Sequence, residues 1–106
     1  PGANETLEIS AAEYWNAPRS LAFADSPITA LDRDILVLDT SGGAITVNLP
    51  ASGRVQVVDR TGAAGTNNVT LTPLGGDTIT FGTLDVDYFG GGAVTVLRTG
   101  TNWDLA

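Results

Sequence analysis

From position 28 onward, short stretches of Val, Ile, Leu and Thr are broken every six to twelve residues by glycine or asparagine clusters. This is the spacing of short strands and turns. In the segment Ala44, Ile45, Thr46, Val47, Asn48, Leu49, the apolar residues Ile45, Val47 and Leu49 fall on one side of a period of two, and Pro50 ends the ladder because it has no N–H to give. The run DILVLD at 34–39 is continuously apolar between two aspartates and reads as a strand covered on both faces. With Thr40, Ser41, Gly42 and Gly43 as the turn between them, 34–49 is expected to form a β-hairpin.

Further strands are predicted at 54–59, 69–72, 78–81, 84–88, 93–98 and 103–105, with a loop over 60–68. The first quarter of the chain differs. Ser10 and Glu13 have the spacing of a capping box, and Pro18 sets a downstream limit, so a short helical turn is expected within 10–17. Residues 5–9 alternate and read as a strand, and 1–4 as an attachment arm. The expected organisation is an amino-terminal arm and attachment segment over 1–27 and an antiparallel β domain over 28–106, all-β, either a small antiparallel β-sandwich or a β-prism-like domain.

Composition narrows the chemistry. The 106 residues contain no cysteine, histidine, methionine or lysine, and the net charge is −7. Disulfide scaffolds, thiolate metal sites, imidazole-based triads and lysine Schiff bases all need side chains that are missing, so no enzymatic activity and no cofactor are expected. The five positive charges, Arg19, Arg33, Arg54, Arg60 and Arg98, are dispersed in sequence and form no basic stripe for phosphates; no nucleic-acid partner is expected. No apolar run approaches the roughly 18 residues of a membrane span, and no signal-peptide layout opens the chain. A soluble protein without a membrane partner is the expectation. Pro1, a residue that favours removal of an initiator methionine, suggests a whole small gene product.

Asp32 with Asp34, and Asp85 with Asp87, sit two apart on predicted strands, each pair pointing to one face. Such pairs can serve glycosidic hydrolysis or bind calcium. The simpler reading is a solvated strand face that keeps an edge from aggregating. The loop at 61–68 is rich in glycine but lacks the Gly-Lys-Ser/Thr of a phosphate cradle, and is read as a turn. Tyr14 and Trp15 adjoin the least strand-like part of the chain, and Tyr88 and Phe89 precede three glycines. These four aromatics are the candidate partner-binding residues, for protein docking or sugar stacking, against the alternative of burial on the sheet. Trp103 alternates with Leu105 and is expected to plug the core.

The motifs TVNLP at 46–50, VQVVD at 55–59, AGTNNVTLTP at 64–73, GGDTI at 75–79 and GTNW at 100–103, in this order, resemble a β-rich module of tailed-phage virion proteins. The stretch LEISAAEY at 7–14 is similar to the lead-in of some of them. The resemblance covers roughly residues 28–106 and implies a non-enzymatic structural protein, homotrimeric, located in the virion and assembled in the host cytoplasm. Its partners would be itself and a capsid or other virion protein. A chain this short fits a capsid decoration or head-fibre subunit. The alternative is a tail-fibre module that binds a host-surface glycan or receptor.

A chain of this size buries roughly two-thirds of its unfolded surface. With 7% aromatic residues its core is thin. Association that covers the second face of a strand such as 35–38 would supply the missing contacts.

Overall fold

The computed structural model describes residues 15–80, 84–85 and 93–105. Its strands are β1 (Arg19–Ala22), β2 (Ile28–Thr29), β3 (Asp34–Asp39), β4 (Ile45–Asn48), β5 (Arg54–Asp59), β6 (Val69–Thr72), β7 (Thr78–Ile79), β8 (Leu84–Asp85), β9 (Ala93–Thr99) and β10 (Asn102–Leu105). They form a six-stranded sheet in the order β1-β3-β5-β9-β10-β7 and a four-stranded sheet in the order β2-β4-β6-β8. The all-β expectation holds.

The strand partners differ from the expectation. From β1 to β6 the chain changes sheet at every step, so it winds as a flattened coil of three rungs. β1, β3 and β5 are parallel neighbours in one sheet, and β2, β4 and β6 are parallel neighbours in the other. The expected hairpin over 34–49 is therefore not formed. β3 and β4 lie in different sheets, and the 3-10 turn Thr40–Gly42 carries the chain around the corner between them. Antiparallel pairing, expected throughout, is confined among the described residues to β5 with β9, β9 with β10 and β6 with β8. The physical reason is that alternation records which side chains face a core, not which strand lies alongside. Ile45 and Val47 point inward equally well in a hairpin and in a coil.

The rungs stack in register, so like residues lie over like. Leu36 is opposite Val57, and Val57 opposite Val94, in the larger sheet; Val47 lies between Ile28 and Leu71 in the smaller one. All are buried between the sheets, with Trp103 fully enclosed as expected of a core plug. Each such aliphatic side chain contributes roughly 1.5–3 kcal/mol by leaving water. β3 is not covered on both faces. Leu36 and Leu38 are buried, while Ile35 and Val37 are half-buried on the outer face.

β1, from the stretch read as the amino-terminal arm, forms the edge of the larger sheet beside β3. Of the helical turn expected within 10–17, residues 10–14 lie outside the described residues, and 15–18 have no regular secondary structure. The strand expected at 5–9 also lies outside them, as do positions 86–88 of the strand expected at 84–88.

The corner between β5 and β6 is held by a buried carboxylate. Asp59 accepts hydrogen bonds from Thr40 Oγ1 at 2.7 Å and from the backbone N–H groups of Gly62 and Ala64, each at 3.1 Å. Asn67 Nδ2 donates to the carbonyl of Thr40 at 2.8 Å. The loop at 61–68 is a turn, as expected. Two of its amide N–H groups are directed at the chain's own carboxylate.

Candidate interaction surface

Side chains that point away from the core define two outer faces of different chemistry. On the smaller sheet they are Thr29, Thr46, Asn48, Thr70 and Thr72, with Thr46 beside Thr70 and Asn48 between Thr29 and Thr72. On the larger sheet the outer positions of β3, β5 and β9 carry Ile35, Val37 and Asp39, Arg54, Gln56 and Val58, and Ala93, Thr95, Leu97 and Thr99, with the Gln56–Thr95 pair between Leu97 and the aliphatic group Ile35, Val37 and Val58. Leu97 is 41% exposed. The larger sheet thus shows water aliphatic side chains, Ile35, Val37 and Val58 as one group and Leu97 apart from them, that the outer positions of β2, β4 and β6 lack.

One row across this face combines three chemistries. Arg54 on β5 is the direct neighbour of Leu97 on β9, which is the direct neighbour of Asp104 on β10. Beyond Asp104 the face becomes polar. Thr78 Oγ1 donates to Asn102 Oδ1 at 2.7 Å, Asn102 Nδ2 donates to Asp104 Oδ1 at 3.0 Å, and Thr80 donates to Asp104. Next to the row, Gln56 Nε2 donates to Thr95 Oγ1 at 3.3 Å.

Trp15 closes the arginine side of the face. It is half-buried, with the Arg54 guanidinium 5.1 Å from the centre of its ring, a cation–π contact. Asn16 anchors the indole's segment: its N–H donates to the Arg33 carbonyl at 2.8 Å and its Nδ2 to the Asp32 carbonyl at 3.0 Å. Of the other aromatic candidates, Tyr14, Tyr88 and Phe89 lie outside the described residues.

Four of the five arginines, dispersed in sequence, gather in space, while Arg60 follows the opposite end of β5. Arg19 and Arg54 open β1 and β5, Arg33 precedes β3, and Arg98 near the end of antiparallel β9 reaches the same end of the sheet, its N–H donating to the Gly53 carbonyl at 2.8 Å. Arg19 is paired with Asp34 at 2.7 Å, Arg98 with Asp77 at 2.9 Å, and Arg33 lies 3.8 Å from Asp32. Hydrogen bonding from Arg98 holds the Asp77 carboxyl below the usual carboxylate range, against a smaller opposing effect of burial. The Trp103 indole adds slightly to this lowering, although its N–H lacks regular hydrogen-bond geometry to any described partner. Hydrogen bonds from the Ser41 hydroxyl and N–H lower the Asp39 carboxyl in the same way.

Asp32 and Asp34 do not share a solvated strand face. Asp34 is 1% exposed and also accepts the Leu31 N–H at 2.8 Å; Asp32 lies in the preceding turn and accepts the Arg54 N–H at 3.1 Å. Both carboxylates bind their own chain: Asp34 through the Arg19 guanidinium of the neighbouring rung, and Asp32 through the backbone N–H of Arg54. The side chains of Asp85 and Asp87 lie outside the described residues. Among the described residues no group of three or more carboxylates is placed to hold a metal ion, and no helix is long and apolar enough to cross a membrane.

Sequence reasoning missed Arg54, Leu97 and Asp104 as a unit. One signal was available: in the run at 93–98 the buried positions are Val94 and Val96, so Leu97 falls out of step with the apolar face. No protein-family model matches the chain, and no curated protein sequence matches it.

Proposed function

We propose that this chain is a non-enzymatic structural protein of a tailed-phage virion, a homotrimeric capsid decoration or head-fibre subunit located in the particle and assembled in the host cytoplasm. The observation that carries the self-association is the unequal chemistry of the two outer faces. A sheet that presents Ile35, Val37, Val58 and Leu97 outward, in a chain with a thin core, gains by covering them with protein.

The motifs that resemble the phage module support an architectural role, because they sit at the turns and ties of the coil. TVNLP closes β4, Ala64 and Asn67 of AGTNN build the corner before β6, and GTNW starts β10 with the buried Trp103. Of the two carboxylate pairs considered for hydrolysis, Asp32 and Asp34 are engaged in holding turns and arginines, while the side chains of Asp85 and Asp87 lie outside the described residues.

The alternative reading is a tail-fibre module that takes a host-surface glycan, and one observation favours it: Trp15 lies half-exposed beside Asn16, Asp32 and Arg33. One face of its ring is covered by Arg54, which leaves only the other for a sugar.

Light scattering over a hundredfold dilution tests the assembly: three times the 10.9 kDa chain mass is expected, and a monomer throughout overturns the trimer. The gene neighbourhood tests the location. A major capsid gene beside it supports decoration, a tail-assembly gene supports the fibre reading, and the lack of both overturns the virion assignment.

A further inference from the structure

We propose that the row Arg54–Leu97–Asp104 on the outer face of the larger sheet is the contact by which copies of this chain join, with Leu97 side chains meeting at a rotation axis parallel to β9 and Arg54 of each copy facing Asp104 of the next. This rests on the self-association proposed above and specifies its surface.

The argument is one of charge and symmetry. β9 carries the apolar residue of the row, Leu97, 41% exposed, with a guanidinium one strand away on β5 and a carboxylate one strand away on β10. Rotation about an axis along β9 preserves the sense in which the row runs. The positive end of one copy is therefore brought to the negative end of its neighbour, whether two or three copies surround the axis. A row with like charges at both ends would repel itself under the same operation.

The side chains are suited to the task. Arg54 is braced by the Trp15 ring, so less freedom is lost when it engages a carboxylate. Asp104 is held by Asn102 and Thr80. An arginine stacked on tryptophan beside an exposed leucine, on a chain without lysine, has the composition of a protein contact rather than a solvated face. The smaller sheet offers only threonine and asparagine at its corresponding outer positions.

The test is charge reversal, read by light scattering and sedimentation across a dilution series, with circular dichroism confirming that each variant is folded. Arg54→Asp and Asp104→Arg are each expected to weaken association at least tenfold, and the double variant to recover most of it. Leu97→Asp, at an exposed position that the core does not need, is expected to abolish assembly of a folded chain. Thr70→Asp, on the other sheet, is expected to leave it unchanged. If the wild-type chain assembles and Leu97→Asp or the single reversals assemble equally well, the contact lies elsewhere and this proposal fails while the self-association stands. A double variant no better than the weaker single variant overturns the Arg54 to Asp104 pairing. A wild-type monomer overturns both.

Discussion

Arg98 grips Asp77 with two prongs, Nε to Oδ2 and Nη2 to Oδ1, both at 2.9 Å, and so ties the turn before β7 to the end of β9. The two residues are 21 positions apart in sequence, and the pair closes the end of the sheet where β10 brings Trp103 into the core. Planar two-point geometry, with both bonds at 2.9 Å, makes this a well-directed ion pair.

The pair predicts how the fold responds to acid. Because hydrogen bonding from Arg98 lowers the Asp77 carboxyl below its ordinary value of 3.8, the folded state binds its proton less readily than the unfolded chain does. The contribution is fully present above the ordinary carboxylate value and is lost as pH falls through the lower folded value. Asp39, lowered by Ser41, acts in the same direction. Chemical denaturation measured from pH 6 down to pH 2 is expected to show stability falling below about pH 4. Asp77→Asn is expected to be less stable at pH 6 and to lose less of its stability on acidification.

The buried Asp59 predicts a larger effect than any surface carboxylate. Its removal leaves the Thr40 hydroxyl and the N–H groups of Gly62 and Ala64 without the acceptor they now share. Two of these donors, the Thr40 hydroxyl and the Ala64 N–H, are buried, and each costs about 1–3 kcal/mol when orphaned, so Asp59→Ala is expected to destabilise the chain by about 3 kcal/mol or more. Thr40→Val, which removes the hydroxyl that also accepts the Ala63 N–H, is expected to cost about 2 kcal/mol. Urea unfolding of the two variants, compared with wild type, checks both magnitudes and their order.

Gly53 is set between two constraints. Its φ of +94° is one that side chains disfavour, and a Cβ there would lie 1.6 Å from Asp32 Oδ1. That oxygen receives the Arg54 N–H, so Asp32 cannot move without giving up the bond that opens β5. Gly53→Ala is expected to cost on the order of 2–4 kcal/mol, from backbone strain and displacement of Asp32 together. Gly76, also at positive φ with open space around it, is the control; Gly76→Ala is expected to cost about 1 kcal/mol, from backbone strain alone. Thermal unfolding of the two variants separates the terms.

Much of the fold was legible because period two survives any arrangement of strands. The inward residues Leu36, Leu38, Ile45, Val47, Val55 and Val57 could be marked as apolar positions of strands, and all of them are buried. What alternation could not supply was the neighbour. Nothing in 34–49 distinguishes a strand that turns back beside its predecessor from one that crosses to a second sheet and meets its partner a rung later. The parallel register of Asp34 with Val55, 21 positions on, is a non-local fact.

The proposed contact row was less legible for a related reason. Arg54, Leu97 and Asp104 are brought side by side only by pairing across β5, β9 and β10. Of the candidate aromatics, Trp15 stacks on Arg54; Tyr14, Tyr88 and Phe89 lie outside the described residues. Asp34 was misread because flanking aspartates usually mark where a strand meets water. The arginine that permits its burial lies 15 residues earlier, on another rung.

That arginine supports the last prediction, which concerns how the edge strand is held. Arg19 donates from Nη2 to Asp34 Oδ2 at 2.7 Å, from Nε to Asp34 Oδ1 at 3.3 Å, and from Nη2 to the Thr29 carbonyl at 3.3 Å, so one side chain links β1, β2 and the start of β3. Removing one partner of a buried pair leaves the other charge uncompensated, which costs about 3–5 kcal/mol when both are enclosed. Arg19 is 40% exposed and Asp34 only 2% by side chain, so water already screens the cation, and Arg19→Met is expected to cost about 1–3 kcal/mol. The loss should be local. Amide exchange at the β3 positions paired with β1 is expected to rise, whereas exchange at Val57 and Val94, deep in the same sheet, stays near wild type. Asp34→Leu added to Arg19→Met removes the stranded carboxylate and is expected to recover part of the stability, while still leaving the Leu31 N–H without its acceptor. A double variant no more stable than Arg19→Met alone would mean that the guanidinium holds the edge through Thr29 rather than through Asp34.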